Sequence, residues 1–284
     1  MIHMNKPYTL PDWNALHRIP DSELPLMETA LLIARDEYPD LDAGSYLAKV
    51  AHYADNLRSA LSENLDIPSK LTAINHYLYR ELGFSGNEDH YEDPRNSYLS
   101  DVLDRKLGIP ISLAVVHIDI MRRIGLPLEG ISFPGHYLVR LPVDDGILVL
   151  DPFNQGRPVS IEELRERVIP HMDGQAPTDS QLFQILAPAS SRTTLMRMLR
   201  NLQAIYQQND DHERIARCAD RQLKLTPDLP EPLRDRGLSY AAMGHSKGAV
   251  QDLTRYLHLR PDADDADSVR QQLIENSGIK TRLN

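Results

Sequence analysis

A single cysteine, Cys218, stands among 284 residues. It excludes an internal disulfide framework and a four-cysteine zinc site, and it fits a reducing compartment, so a cytoplasmic protein is expected. Long hydrophobic runs are also missing. Nothing approaches the roughly eighteen apolar residues of a membrane span, and Met1-Ile-His-Met-Asn-Lys6 has no apolar stretch of the kind a secretory signal needs. Positive charge is in deficit, with 31 Lys and Arg against 41 Asp and Glu for a formal net charge of −10. That balance speaks against nucleic acid and anionic membranes as partners, since both reward net positive charge. Glycine-rich phosphate-binding fingerprints are absent. His90, His117 and His171 lack the close spacing of a metal site and read as surface or packing residues. Neither a metal nor a cofactor is expected.

What is present falls into three stretches. From about Leu24 to Leu82 apolar residues recur at helical spacing: Leu26, Ala30, Ile33 and Ala34; then Leu47, Val50, Ala51, Ala54, Leu57 and Leu61; then Leu71, Ile74 and Leu78. Asp40 and Ser69 are the expected starts of the second and third helices, and Gly83 the stop. The middle stretch is turn-rich at Phe84-Ser-Gly-Asn87 and Asp93-Pro-Arg-Asn-Ser97. A helix capped by Ser97 is predicted to run to Leu107, with Gly108 closing it, and a second from Pro110 to about Ile124. The second is apolar on more than one face, the mark of a central helix. Two extended runs follow, His136–Arg140 and Ile147–Leu150, joined across Asp144-Asp-Gly146 as a hairpin.

The third stretch repeats. An offset of 34 residues aligns Leu199 with Leu233, Tyr206 with Tyr240, Leu223 with Leu257 and Pro227-Asp228 with Pro261-Asp262. A period of 34 in paired helices is the tetratricopeptide signature. The first copy departs from it by having Gln203 where the second has Gly237. A capping helix is expected over 265–277, with the acidic run Asp262–Asp267 as a solvated helix start.

One constellation carries chemistry. Ser112 falls in the first turn of the central helix, where free N–H groups and the helix dipole favour developing negative charge. His136 opens one hairpin strand and Asp151 closes the other, so antiparallel pairing brings them side by side, the arrangement in which a carboxylate orients an imidazole. Tyr91 and Asp93 are expected at the mouth of the same cleft, with Asn96 and Ser97 as turn and cap residues.

Five motifs in order, Phe84-Ser-Gly-Asn87, Asp93-Pro-Arg-Asn-Ser97, Gly108-Ile-Pro-Ile-Ser-Leu113, Phe133-Pro-Gly-His136 and Leu150-Asp-Pro-Phe153, resemble the SirB-one-like bacterial proteins. The resemblance runs from about Leu24 onward. It implies an α+β, transglutaminase-like (papain-like) core followed by an all-α tetratricopeptide region: a helical N-terminal segment over 1–83 packed on the core, the core over 84–188, and two repeats with a capping helix over 189–284. In active members of that wider superfamily a catalytic cysteine starts the central helix, and strands carry a histidine and an aspartate. His136 and Asp151 match the last two; Ser112 occupies the cysteine position.

The departure matters energetically. A thiol ionises near pH 8.5. An alcohol lies closer to the value for water, about 15.7. The gap of about 7 units corresponds to on the order of 10 kcal/mol. A helix N-terminus contributes up to ~2 kcal/mol, so a pre-ionised nucleophile is excluded at Ser112. Two readings stay open: an interaction or regulatory protein on a non-catalytic core, with Ser112 as a capping or packing residue, and a serine-based amidase, peptidase or acyltransferase using Ser112, His136 and Asp151. For the first, the repeats offer Arg197, Arg200, Arg234 and Leu238 as a surface for another protein or peptide, with Arg200 and Arg234, one repeat apart, stacking into a small basic clamp for a carboxylate. Pairing with neighbours such as Asp235 is the plainer role for such arginines.

Overall fold

A computed structural model of the chain describes residues 10–62 and 64–277. The segment Met1–Lys6 that bears on secretion lies outside them. The described residues divide into two compact units, one made of 10–11 and 21–198, the other of 12–20 and 199–277. The stretch 1–83 therefore does not go to one unit, because Asp12–Pro20 clusters with the C-terminal helices.

In the first unit α1 (Leu26–Glu37), α2 (Ala43–Ala60) and α3 (Ile67–Asn75) follow the predicted stripes. Their starts differ from the sequence reading. Asp42 and Asp66, not Asp40 and Ser69, hold the cap positions, accepting from the Ser45 and Ser69 amides. A carboxylate just ahead of the first turn satisfies a free amide and meets the positive end of the dipole, which a residue inside the helix cannot do. A π-helical turn, His76–Glu81, continues α3. Gly83, at φ +78°, then ends it as expected.

The next helix, α4 (Leu99–Arg105), is shorter than predicted. Lys106 adopts left-handed backbone at φ 62° and closes it. Leu107–Gly108 then leaves as β2, pairing in parallel with β1 (Ser85–Gly86). Ser97 does not cap α4: Tyr98 occupies that position without a side-chain bond, and the Ser97 hydroxyl is buried without a partner.

Helix α5 (Pro110–Arg123) is buried along nearly its whole length, as its all-round apolar sequence requires. It packs against α1, α2 and α4 and against two strands of the main sheet, β3 (Glu129–Ile131) and β4 (Leu138–Val143). The sheet runs β3-β4-β5-β6, all antiparallel, with β5 at Gly146–Asp151 and β6 at Arg157–Pro158. Val143 pairs with Gly146 across Asp144-Asp145, the predicted hairpin. Leu138 and Val149 join Leu164 and Val168 of α6 (Ile161–Val168) and Leu182 of α7 (Asp179–Ile185) in an apolar cluster. The α+β architecture is as the sequence implied; β3, α6 and α7 were not anticipated.

Helix α8 (Ser191–Gln208) begins in the first unit and ends in the second. With α9 (His212–Leu225), α10 (Pro230–Ala242) and α11 (Ser246–Leu259) it makes two helix pairs, and α12 (Ala266–Asn276) follows as the capping helix. A Cβ on Gly237 would stand 2.7 Å from Leu253, so α10 and α11 approach at a distance only glycine permits. The first pair holds Gln203 there instead. Its buried amide donates to Asp235 at 2.6 Å and accepts from Gln222 at 2.6 Å, so hydrogen bonds replace close packing. Trp13 and Leu16, in the short turn Trp13–Arg18, are buried in this unit, with the Arg221 guanidinium 5.0 Å from the Trp13 ring.

Candidate functional site

The site is built where α5 meets the end of the sheet. His136 sits two residues ahead of β4, in the turn after Phe133, and not within the strand. Asp151 is the last residue of β5, and Pro152 forces the chain out of the ladder immediately afterwards. The two meet: His136 Nε2 lies 2.9 Å from Asp151 Oδ1. The Asp151 carboxylate is fully buried and takes three further bonds, from Asn154 Nδ2 at 2.8 Å, Arg167 Nη1 at 3.0 Å and the Asn154 amide at 3.4 Å. Burial alone would push its pKa up. The bonds from His136, Asn154 and Arg167 outweigh that and hold it well below the usual carboxylate range. Asp151 is therefore an anion at neutral pH, aimed at the imidazole.

Behind this pair, Tyr79 Oη and His117 Nδ1 are 3.2 Å apart, both buried. Desolvation pulls the His117 pKa down to about 4, so the ring is neutral, and its Nε2 has no partner. Tyr79 lies in the π-helical turn, and its ionisation is suppressed by burial and by the nearby Asp151 charge. His117 is thus a packing residue, but one that is polar and only half satisfied.

Ser112 lies apart from this network. It is fully buried at the third position of α5. Its hydroxyl donates to the Asn96 carbonyl at 2.5 Å and accepts the Ile109 amide at 3.1 Å. A hydroxyl has one proton, and here it is committed to backbone. No hydrogen bond joins Ser112 to His136 among the described residues. The Asn96 that Ser112 holds is itself a hub: its side chain accepts from Asn87 Nδ2 at 3.0 Å and donates to the His90 carbonyl at 2.7 Å and the Tyr91 carbonyl at 3.3 Å. Asn87 and Asn96, read from sequence as turn residues, are the two ends of a buried strut that fixes the 87–97 loop on the start of α5.

That loop carries Tyr91, which is 46% exposed. Its ring meets Phe153 edge-on at 6.1 Å, and Phe153 meets His136 edge-on at 6.0 Å. Gly86 makes room for this row, since a Cβ there would fall 2.5 Å from the Phe153 ring. Tyr91 thus stands with Phe153 and His136 in one aromatic row. Asp93 does not join it: its carboxylate pairs with Arg95 at 2.7 Å and Arg105 at 3.5 Å.

The four residues offered as a partner surface have separate surroundings. Arg197 donates to Ser132 Oγ at 3.0 Å and to the Phe133 carbonyl at 2.8 Å, bracing the turn that bears His136. Arg234 is neutralised by Asp235 at 2.8 Å and Asp265 at 2.9 Å. Leu238 packs on the core of the second unit, and Arg200 is exposed. Arg234 is thus paired within its own unit, and Arg197 is bound into the His136 turn. Asp265, expected to be solvated, accepts from both Arg234 and Tyr256 Oη. Sequence reasoning missed Arg167 and Asn154 altogether. Asn154 had a local signal in Asp151-Pro-Phe-Asn154, a turn in which an aspartate caps the residue three ahead; Arg167 had none. Among the described residues no group of three or more His, Cys, Asp or Glu could hold a metal ion, and no helix is long and apolar enough to cross a membrane.

A buried helix opening beside a sheet that ends in a His–Asp pair, followed by paired helices, defines a class. The chain belongs to the transglutaminase-like superfamily, whose model matches residues 44–200, and a tetratricopeptide repeat model matches 202–274. Among individual proteins it is 59% identical over 274 residues to a UPF0162 protein of Xylella fastidiosa (strain Temecula1), covering 96% of this chain and 98% of that one. A UPF0162 protein of Vibrio cholerae is 28% identical, covering 87% of this chain and 91% of its own length. F-box only protein 21 of Pongo abelii is 27% identical over 70% of this chain, a match that spans 32% of that protein. No solved structure matches the chain.

Proposed function

We propose that this chain is a cytoplasmic interaction or regulatory protein whose transglutaminase-like unit does not perform acyl transfer. The observation that carries this reading is the state of Ser112, buried, with its only proton given to the Asn96 carbonyl. A nucleophile must present its oxygen to substrate and its proton to a base within about 2.6–3.2 Å, even allowing for some looseness without substrate. Freeing Ser112 would leave the Asn96 carbonyl and the Ile109 amide only their long 3.4 Å bond to each other, and so weaken the hold on the 87–97 loop. Tetratricopeptide pairs are general protein-interaction modules, and α8 to α12 supply one. A partner protein or peptide bound through them is the use such modules generally have.

The second reading, a serine-based amidase, peptidase or acyltransferase, draws on the His136–Asp151 pair, kept at 2.9 Å with an ionised carboxylate. Intact-mass labelling of the full chain with a fluorophosphonate probe decides between them. No adduct is expected. A stoichiometric adduct that disappears in Ser112→Ala would overturn the non-catalytic reading and establish a serine acyl-transfer enzyme.

A further inference from the structure

Against the turn that bears His136 lies a cation, Arg197, for which the described residues provide no ion pair. Arg197 is partly buried, yet no carboxylate of the described residues lies within ion-pair distance of it. Its bonds are both made by Nη1, to neutral oxygens of Ser132 and Phe133; Nε and Nη2 have no partner. Burial lowers its pKa, and the two side chains that bear on its charge, Tyr137 and Tyr91, are neutral phenols. Elsewhere in this unit buried guanidinium groups are matched: Arg140 with Glu129 at 3.0 Å, Arg167 with Asp151 and Glu163, Arg105 with Asp93. In a chain of net charge −10 carboxylates are plentiful, so a half-buried guanidinium without one, its unbonded nitrogens open to solvent, is available to a bound anion.

The surroundings define the anion. The Arg197 guanidinium lies 5.6 Å from the Tyr137 ring, which holds its plane, and its charge reaches Tyr91. Tyr91, Phe153 and His136 form the edge-to-face row beside it, with the Tyr91 ring largely open. A fork with two unused donors matches a planar carboxylate, and an aromatic wall matches the apolar side chain next to that carboxylate. We propose that this cleft binds the C-terminal carboxylate of a peptide, received by Arg197, with the terminal apolar side chain against Tyr91 and Phe153. The proposal rests on the non-catalytic reading above: the cleft is kept for recognition while Ser112 is structural.

The test titrates N-acetylphenylalanine, and separately its primary amide, into the full-length protein and follows the backbone and arginine side-chain signals by NMR. The free acid is expected to shift signals of 132–137, Tyr91, Phe153 and the Arg197 Nε–H. The amide, offering a neutral acceptor in place of a charged one, is expected to bind at least about tenfold more weakly. Arg197→Met keeps the stem and should lose acid binding. Ser132→Ala removes one loop bond without touching the charge and should retain it within about threefold, which separates anion binding from loop bracing. Equal binding of acid and amide, no response to either at millimolar concentration, or undiminished binding by a folded Arg197→Met would overturn the proposal. Should Arg197→Met fail to fold, the acid–amide comparison on the wild type decides. A Ser112-dependent fluorophosphonate adduct with acid selectivity intact would sink the non-catalytic reading alone.

Discussion

The start of α5 and the end of the β4–β5 hairpin contribute the two halves of one family constellation, and they have been put to different uses. At the helix, Ser112 is sealed: no exposure, backbone partners on both sides, and a loop suspended from it through Asn96. At the hairpin, His136 keeps one ring nitrogen on a buried, compensated carboxylate while its side chain stays 20% exposed. The first arrangement is what a packed interior requires of a polar group; the second leaves a polar group presented to whatever enters the cleft. A sealed hydroxyl at one end therefore coexists with a presented imidazole at the other. The lesson is that a matching triad of residue types is weaker evidence than the partners each member has.

The comparison breaks most visibly at Asp151. Arg167→Leu leaves this carboxylate buried without its cation, and breaking a buried pair in this way destabilises by roughly 3–5 kcal/mol. His136→Ala, which removes a partly exposed ring, should cost under about 1.5 kcal/mol, the scale of one ordinary hydrogen bond. Urea denaturation of both variants checks the ordering. Equal losses would make His136 as structural as Ser112 and dissolve the contrast.

Acid sharpens it from behind. His117 has a folded pKa of about 4 against an ordinary 6.5. Between those values the unfolded chain binds more protons than the folded one, so stability rises with pH across that window. The contribution is complete above about pH 6.5 and lost as the pH falls to about 4, on the order of 3 kcal/mol. Asp151, whose pKa is depressed instead, contributes above its ordinary 3.8 and loses that only at still lower pH. His117→Gln keeps a polar, non-titrating group beside Tyr79 and should flatten the slope between pH 6.5 and 4 while leaving the steeper acid limb. An unchanged slope would show that the ring is solvated.

How much of this was legible beforehand differs by level. Helix α5 and the hairpin were readable because their signals are local: all-round apolar content for one, Asp-Gly between β-rich runs for the other. The repeats were readable because a period of 34 survives even where Gln203 replaces a small residue. Local caps were read one to three residues off, since several acids and hydroxyls near each helix start compete and only packing chooses among them. In the site, His136 and Asp151 could be paired from strand order alone. Ser112's partner could not, because Asn96 is sixteen residues earlier and reaches it through a loop no periodicity describes. Arg167 was invisible for the same reason, being placed by the packing of α6 on the sheet. Arg234, expected in a basic clamp, shows a general property of arginines, which pair with the nearest carboxylates, here Asp235 and Asp265.

The smaller effects bear on the strut that joins the two halves. Ser112→Ala leaves the Asn96 carbonyl and the Ile109 amide without their hydroxyl partner and should cost about 1–3 kcal/mol by urea titration. Tyr91→Ala removes only an exposed ring and one edge-to-face contact, worth about 0.5–1.5 kcal/mol. The bond from Asn96 to residue 91 is to its carbonyl, 3.3 Å away, and survives the change. The strut and the ring are then energetically separate, and the double variant should match the sum of the single losses within about 0.5 kcal/mol. Coupling well beyond that would mean that the Tyr91 ring helps hold the loop onto α5. In that case the exposed aromatic row would be part of the seal around Ser112, and the division between a structural half and a presented half would have to be redrawn at Phe153.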